Sequence, residues 1–176
     1  MTVALRVACA PARGYARALR ADADRLLSAL GLKGTELSVI IVDDATIQGL
    51  NREFRGKDAP TDVLSFPQLE EIGPNASHLD RVGDVPGTLL GDVVISIDTA
   101  LRQASRYRVT PAARLRTLLI HGTLHLIGYD HERSRVDARR MFTRERELVK
   151  AVLRRATARR QVAKSTTRRS GKRTAR

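Results

Sequence analysis

The chain has 176 residues and a formal net charge of +13, a length that suits one domain better than two. Apolar types make up 42%, enough for a modest core, but no apolar run reaches the ~18 residues of a membrane span and no signal-like segment opens the chain. These features exclude an integral membrane protein and disfavour secretion. The one cysteine, Cys9, forms neither an internal disulfide nor a cysteine-based zinc site and suits a reducing cytoplasm.

The charge is unevenly placed. Ten of the 32 Lys and Arg lie between Arg154 and Arg176, where there is no acid, which leaves 22 basic and 19 acidic residues in 1–153. The expected organisation is therefore a mildly basic domain, 1–155, and a basic tail, 156–176, without apolar periodicity and expected to be disordered. Such a tail acts as a solubilising extension or as a salt-sensitive, non-specific phosphate-binding arm.

Leu5 to Cys9 alternates loosely and predicts a first strand. Ala16, Leu19, Ala23, Leu26, Leu27 and Leu30 recur at helical spacing, and Gly31 supplies a stop. Leu37–Val42 reads as a buried strand, and Asp43-Asp44 as the cap of a helix from Ala45 to about Phe54. The turn-like Arg55–Pro60 leads to a strand over 62–66 that Pro67 ends. Residues 68–88 carry Pro, Gly, Asn and acids and predict a long loop with a hairpin edge, a length that usually marks a functional element. Val93–Ile95 predicts the core of another strand, followed by a helix from Asp98 to about Tyr107. Thr110 as N-cap and Pro111 in the first turn open a helix to Gly128. A last amphipathic helix is expected from Asp137 to about Arg155. Strands and helices alternate early and helices dominate late, which indicates an α/β or α+β protein with one sheet covered by helices.

The chemistry concentrates in His121-Gly-Thr-Leu-His125-Leu-Ile-Gly128-Tyr-Asp-His131. On a helix, His121 and His125 project from one face and both reach a single ion. Gly128 can take the left-handed conformation that ends the helix and turns His131 back toward the pair. A helical pair alone is as readily a satisfied core pair; the third histidine after a glycine turn favours a metal. Three imidazoles with an open fourth position describe a catalytic zinc site better than a closed structural one. His78, in the long loop, is expected to face solvent. The spacing also fits extended zinc proteases, but their general base follows the first histidine, and Gly122 stands there. Peptidase activity is therefore disfavoured.

The histidine block closely resembles the signature of the YbeY family, bacterial zinc-dependent endoribonucleases of ribosomal RNA maturation. Leu50–Lys57, running on into Thr61–Pro67, Leu90–Ser96 and Met141-Phe142 are similar too, so the resemblance spans roughly residues 3–153. It implies a single mixed sheet of about four or five strands, with the zinc helix bordering a cleft. It implies one Zn2+ per chain on His121, His125 and His131, with Arg55 important for activity. It further implies a cytoplasmic, single-strand-specific endoribonuclease of small-subunit RNA 3′ end maturation and ribosome quality control, associated with the small ribosomal subunit and an assembly GTPase. The alternative is a non-catalytic, zinc-stabilised ribosome-assembly or RNA-binding factor.

Arg55 offers a planar, permanently charged fork suited to a phosphate, and its other reading is a surface turn arginine. Arg52 and Lys57 extend a basic wall. Asp130 either orients an imidazole or hydrogen-bonds its own turn, and Asp62 and Asp92 are read as structural strand starts. Phe54 and Phe66 read first as core residues, and scarce aromatics argue against an extended base-stacking platform.

Overall fold

The computed structural model describes residues 2–32, 34–68, 87 and 89–170. Its elements are β1 (Thr2–Val7), a 3-10 helix (Ala10–Tyr15), α1 (Ala16–Leu30), β2 (Glu36–Val42), α2 (Asp44–Arg55), β3 (Val63–Pro67), β4 (Leu89–Ser96), α3 (Ile97–Arg106), α4 (Pro111–Leu126) and α5 (Arg135–Ser170). The four strands form one mixed sheet in the order β1-β2-β4-β3, with β3 antiparallel at the edge and the other neighbours parallel. This is the α/β architecture expected from the alternation of elements.

Side-chain alternation along the strands sorts the core into two layers. Leu37, Val39 and Ile41 of β2, with Val93 and Ile95 of β4, pack beneath α1 and α4. Val42, Val94 and Leu64 point the other way and meet Ile47 of α2. Helix α5 lies outside the first layer, where Met141, Leu148 and Val152 are buried against it. A buried ion triad ties α1 to α4, the Asp22 carboxylate accepting from Arg25 and from Arg116 at 2.8 Å each.

The caps read from the sequence form. Asp43 accepts from the Thr46 N–H at 2.8 Å, and Thr110 from the Ala113 N–H at 3.2 Å. Several boundaries differ: the histidine helix ends at Leu126 rather than Gly128 and the last helix starts at Arg135 rather than Asp137. The first strand begins at Thr2, because in-register pairing with β2 from Glu36 onward decides its limits. The 3-10 helix has no apolar period to announce it, and Pro11 in its first turn is compatible with it. Helix α5 continues to Ser170, whereas the apolar stripe predicts an end near Arg155 and an unstructured tail beyond. Ala, Arg, Lys and Gln are strong helix formers and extend a helix without needing a buried face. The predicted loop over 68–88, its hairpin edge included, lies outside the described residues except at Gln68 and Gly87.

Two close approaches set the sheet against its neighbours at the future cleft. At Gly91, where β4 carries a bulge against β2 and φ is +134°, a Cβ would meet the Phe66 carbonyl oxygen. At Gly122 a Cβ would stand 2.7 Å from a Val93 methyl and 3.1 Å from Val63 and Ser65. Glycine there lets α4 lie directly on β3 and β4, and the Ser65 hydroxyl donates to the Gly122 carbonyl at 3.0 Å.

Candidate active site

Helix α4, seated on the sheet through Gly122, turns His121 and His125 toward the β3 edge. The helix ends at Leu126, and Gly128 takes a φ of +89° as its N–H donates to the His125 carbonyl. That left-handed turn swings His131 back over the pair. The ring centroids of the three histidines are 4.9, 5.1 and 5.2 Å apart, and one nitrogen from each lies within 4.8 Å of the others. The three residues singled out by spacing are thus brought together.

The donor set fits a divalent ion. His121 Nδ1 lies 2.9 Å from Glu145 Oε2. A carboxylate only accepts, so Nδ1 carries the proton and Nε2 presents its lone pair. His121 Nε2 and His125 Nε2 are 3.2 Å apart. Two nitrogens each bound at about 2.0–2.1 Å to one tetrahedral ion would lie about 3.3 Å apart. Burial first, then the neighbouring His121 and His131, pushes the His125 pKa down to about 4, so His125 is neutral near pH 7 and its lone pair is available. The Phe142 ring stacks on His131 at 5.6 Å and 25° and limits that imidazole's rotation.

A cleft of about 760 Å³ opens beside the cluster, walled by the three histidines and the 128–133 turn on one side and by α2 and β3 on the other. Arg55, the last residue of α2, lines it. Its Nη2 contacts both carboxylate oxygens of Glu132 at 3.0 and 3.1 Å, with both side chains substantially exposed. Arg55 holds the Glu132 carboxyl below its usual pKa, by hydrogen bonding and then by charge. Arg52 leans toward Asp58 at 3.8 Å.

Among the other sequence candidates, Asp130 and Asp62 also line the cleft but are engaged in contacts of their own. Asp130 takes the turn role, accepting from the Glu132 N–H at 2.8 Å and pairing with Arg133. Asp62 caps β3 and accepts from Gln103 and Arg114, and Asp92 accepts from Gln68. His78 lies outside the described residues. Phe54 corrects an expectation: read as core, it is 59% exposed at the cleft rim, because the last turn of α2 runs past the small second core. The sequence reading missed Glu145 and Glu132. A signal for Glu145 was present, since it stands one helical turn after Met141, whose side chain is fully buried; what it faces depends on how α5 packs.

The family model described as Endoribonuclease YbeY matches residues 12–153, a span that contains every wall of this cleft. A protein named Endoribonuclease YbeY from an Anaeromyxobacter species is 50% identical over 86% of this chain and 72% of its own length. One of the same name from Geobacter sulfurreducens is 47% identical over 75% of this chain and 83% of its own. A solution structure from Thermotoga maritima, 26% identical, superposes with a TM-score of 0.59 over 90% of this chain and 93% of that one.

Proposed function

This chain belongs to the YbeY endoribonuclease family, and we propose that it cuts single-stranded ribosomal RNA with one zinc ion held by His121, His125 and His131 and with Arg55 as its catalytic arginine. Family membership carries the reaction class, hydrolysis of RNA phosphodiesters in ribosomal RNA processing. The convergence of three imidazoles beside an open cleft supports the metal assignment.

His121, His125 and His131 would hold the zinc ion, which would supply either Lewis-acid stabilisation of phosphate charge or a water acidic enough to ionise near neutral pH. The protein's own groups prepare the site. Glu145 keeps the His121 proton on Nδ1, and burial keeps His125 uncharged. Arg55 takes a phosphate by releasing Glu132, an exchange that costs little, since exposed ion pairs are worth about 0–1 kcal/mol. No acid stands where zinc peptidases place their base, because Gly122 is pressed against the sheet.

Finer assignments rest on the family resemblance: action at the 3′ end of small-subunit RNA and in ribosome quality control, contact with the small ribosomal subunit and an assembly GTPase, and a cytoplasmic location. No described helix is long and apolar enough to cross a membrane. We assign residues 1–155 to the catalytic domain and 156–176 to a non-specific phosphate-binding arm. Deleting the arm should weaken RNA binding at low salt and matter little at high salt; unchanged affinity would reduce it to a solubility device.

The deciding experiment measures bound metal and cleavage of a ribosomal RNA precursor for the parent and His125→Ala. The parent should hold about one zinc per chain and cleave, and the variant should fold but lose both. A folded, metal-free triple-histidine variant that supports normal ribosome maturation would instead favour the zinc-stabilised assembly factor.

A further inference from the structure

Phe54 is a large apolar side chain that the fold does not use. It is 59% exposed, and it lies outside both core clusters. Among the described residues its one aromatic neighbour is Phe66, at 5.0 Å between centroids and 72° between planes, a T-shaped contact that leaves ring surface open. Phe66 itself is packed against the second core and so holds the pair in place. A single exposed ring is ordinary on a protein surface; what sets Phe54 apart is that its open face lines the cleft that holds the three histidines.

The surroundings say which occupant. Phe54 and Phe66 line the same cleft as the three histidines, with Arg55 the next residue along the chain from Phe54. Both side chains reach the cleft from consecutive positions at the end of α2. Arg52 and Lys57, both exposed, add positive charge to this end of α2. A protein partner that seeks an apolar patch would have to desolvate these cations, whereas a polynucleotide places phosphates on them and a flat base on the ring. Bases stack on single aromatic side chains without sequence preference, provided they are unpaired.

We propose that Phe54, supported by Phe66, is a stacking subsite for one unpaired base of the RNA, next to the phosphate held by Arg55. This deepens the nuclease reading and rests on it: duplex RNA keeps its bases stacked and cannot fill the site, so the ring selects for single strands.

The test compares kcat/KM of the zinc-loaded parent, Phe54→Ala, Phe54→Leu and Phe54→Tyr on a short single-stranded RNA and on copies carrying one abasic nucleotide at successive positions. Phe54→Ala and Phe54→Leu should fall about ten-fold, within the range of one lost base stack, and Phe54→Tyr should match the parent. At one abasic position the parent should drop to the Phe54→Ala level, with no further loss in that variant. Equal cleavage by Phe54→Ala, parent-like cleavage by Phe54→Leu, or abasic penalties identical in parent and variant at every position would each overturn the proposal. A parent that cleaves none of these RNAs while fully loaded with zinc would remove the nuclease reading, and this subsite with it.

Discussion

His121 and His125 stand on a helix pressed so closely to the sheet that Gly122 leaves no room for a methyl group. Across the cleft, Phe54 and Arg55 end a helix and are both exposed. The first wall is held from behind, by the sheet under Gly122 and by Glu145 on α5. On the second, the Arg55 and Phe54 side chains meet an exposed ion-pair partner and one aromatic edge. The difference matches what each wall meets. Ligands to an ion must be preorganised to a few tenths of an ångström, so their support is buried. Groups that receive a flexible strand must exchange partners rapidly, so theirs is solvated.

This contrast predicts that function and stability separate by wall. Among substitutions that leave the zinc ligands in place, the largest functional effect belongs to the solvated side: Arg55→Ala should lower kcat/KM about 10²–10³-fold, as for loss of one charge-stabilising donor, with a melting temperature close to the parent's. Parent-like cleavage would show that Arg55 is only a turn residue. On the buried side, Gly122→Ala should cost about 1–3 kcal/mol in denaturant unfolding, because the new methyl overlaps Val93. An unchanged midpoint would mean that α4 can lift from the sheet, which would break the comparison. Glu145→Gln should weaken zinc about 10–100-fold in competition with a chromophoric chelator, and Glu145→Asp should recover part of it. No change in affinity would confine Glu145 to packing.

The smallest effect is that of pH on the metal-stripped protein. His125 has a folded pKa of about 4, below the ordinary value of 6.5, so the unfolded chain binds its proton first and stability falls as pH drops from about 6.5 toward 4. Thermal melts over that window should show a smaller decline for His125→Asn than for the parent. Parallel declines would place the acid sensitivity in other groups.

Legibility in the sequence followed the range of the interactions. The caps of α2 and α4, the β-branched run of β2 and the histidine spacing depend on residues a few positions apart, and each is present in the fold. The 3-10 helix left no periodic trace, and the limits of β1 were decided by a partner strand more than thirty residues away. Phe54 looked like core because its helix is amphipathic, yet the second core beneath α2 is too small to reach its last turn. Asp130 and Glu145 show the same limit. The carboxylate beside His131 in the chain binds its own turn, and the one on His121 comes from 24 residues away.

By itself the sequence determined which side chains could share an ion, since a helical turn and one left-handed glycine are local geometry carried by the residues themselves. It also determined that no base follows the first histidine, where zinc peptidases carry theirs, because glycine has no side chain to supply one. Only the tertiary structure decided what stands behind and opposite those histidines: Glu145 through the packing of α5, Arg55 and the open phenyl ring through the meeting of α2 with the β3 edge. Those neighbours come from pairing and packing between distant segments, where many partners satisfy the same apolar pattern and the closed sheet selects one.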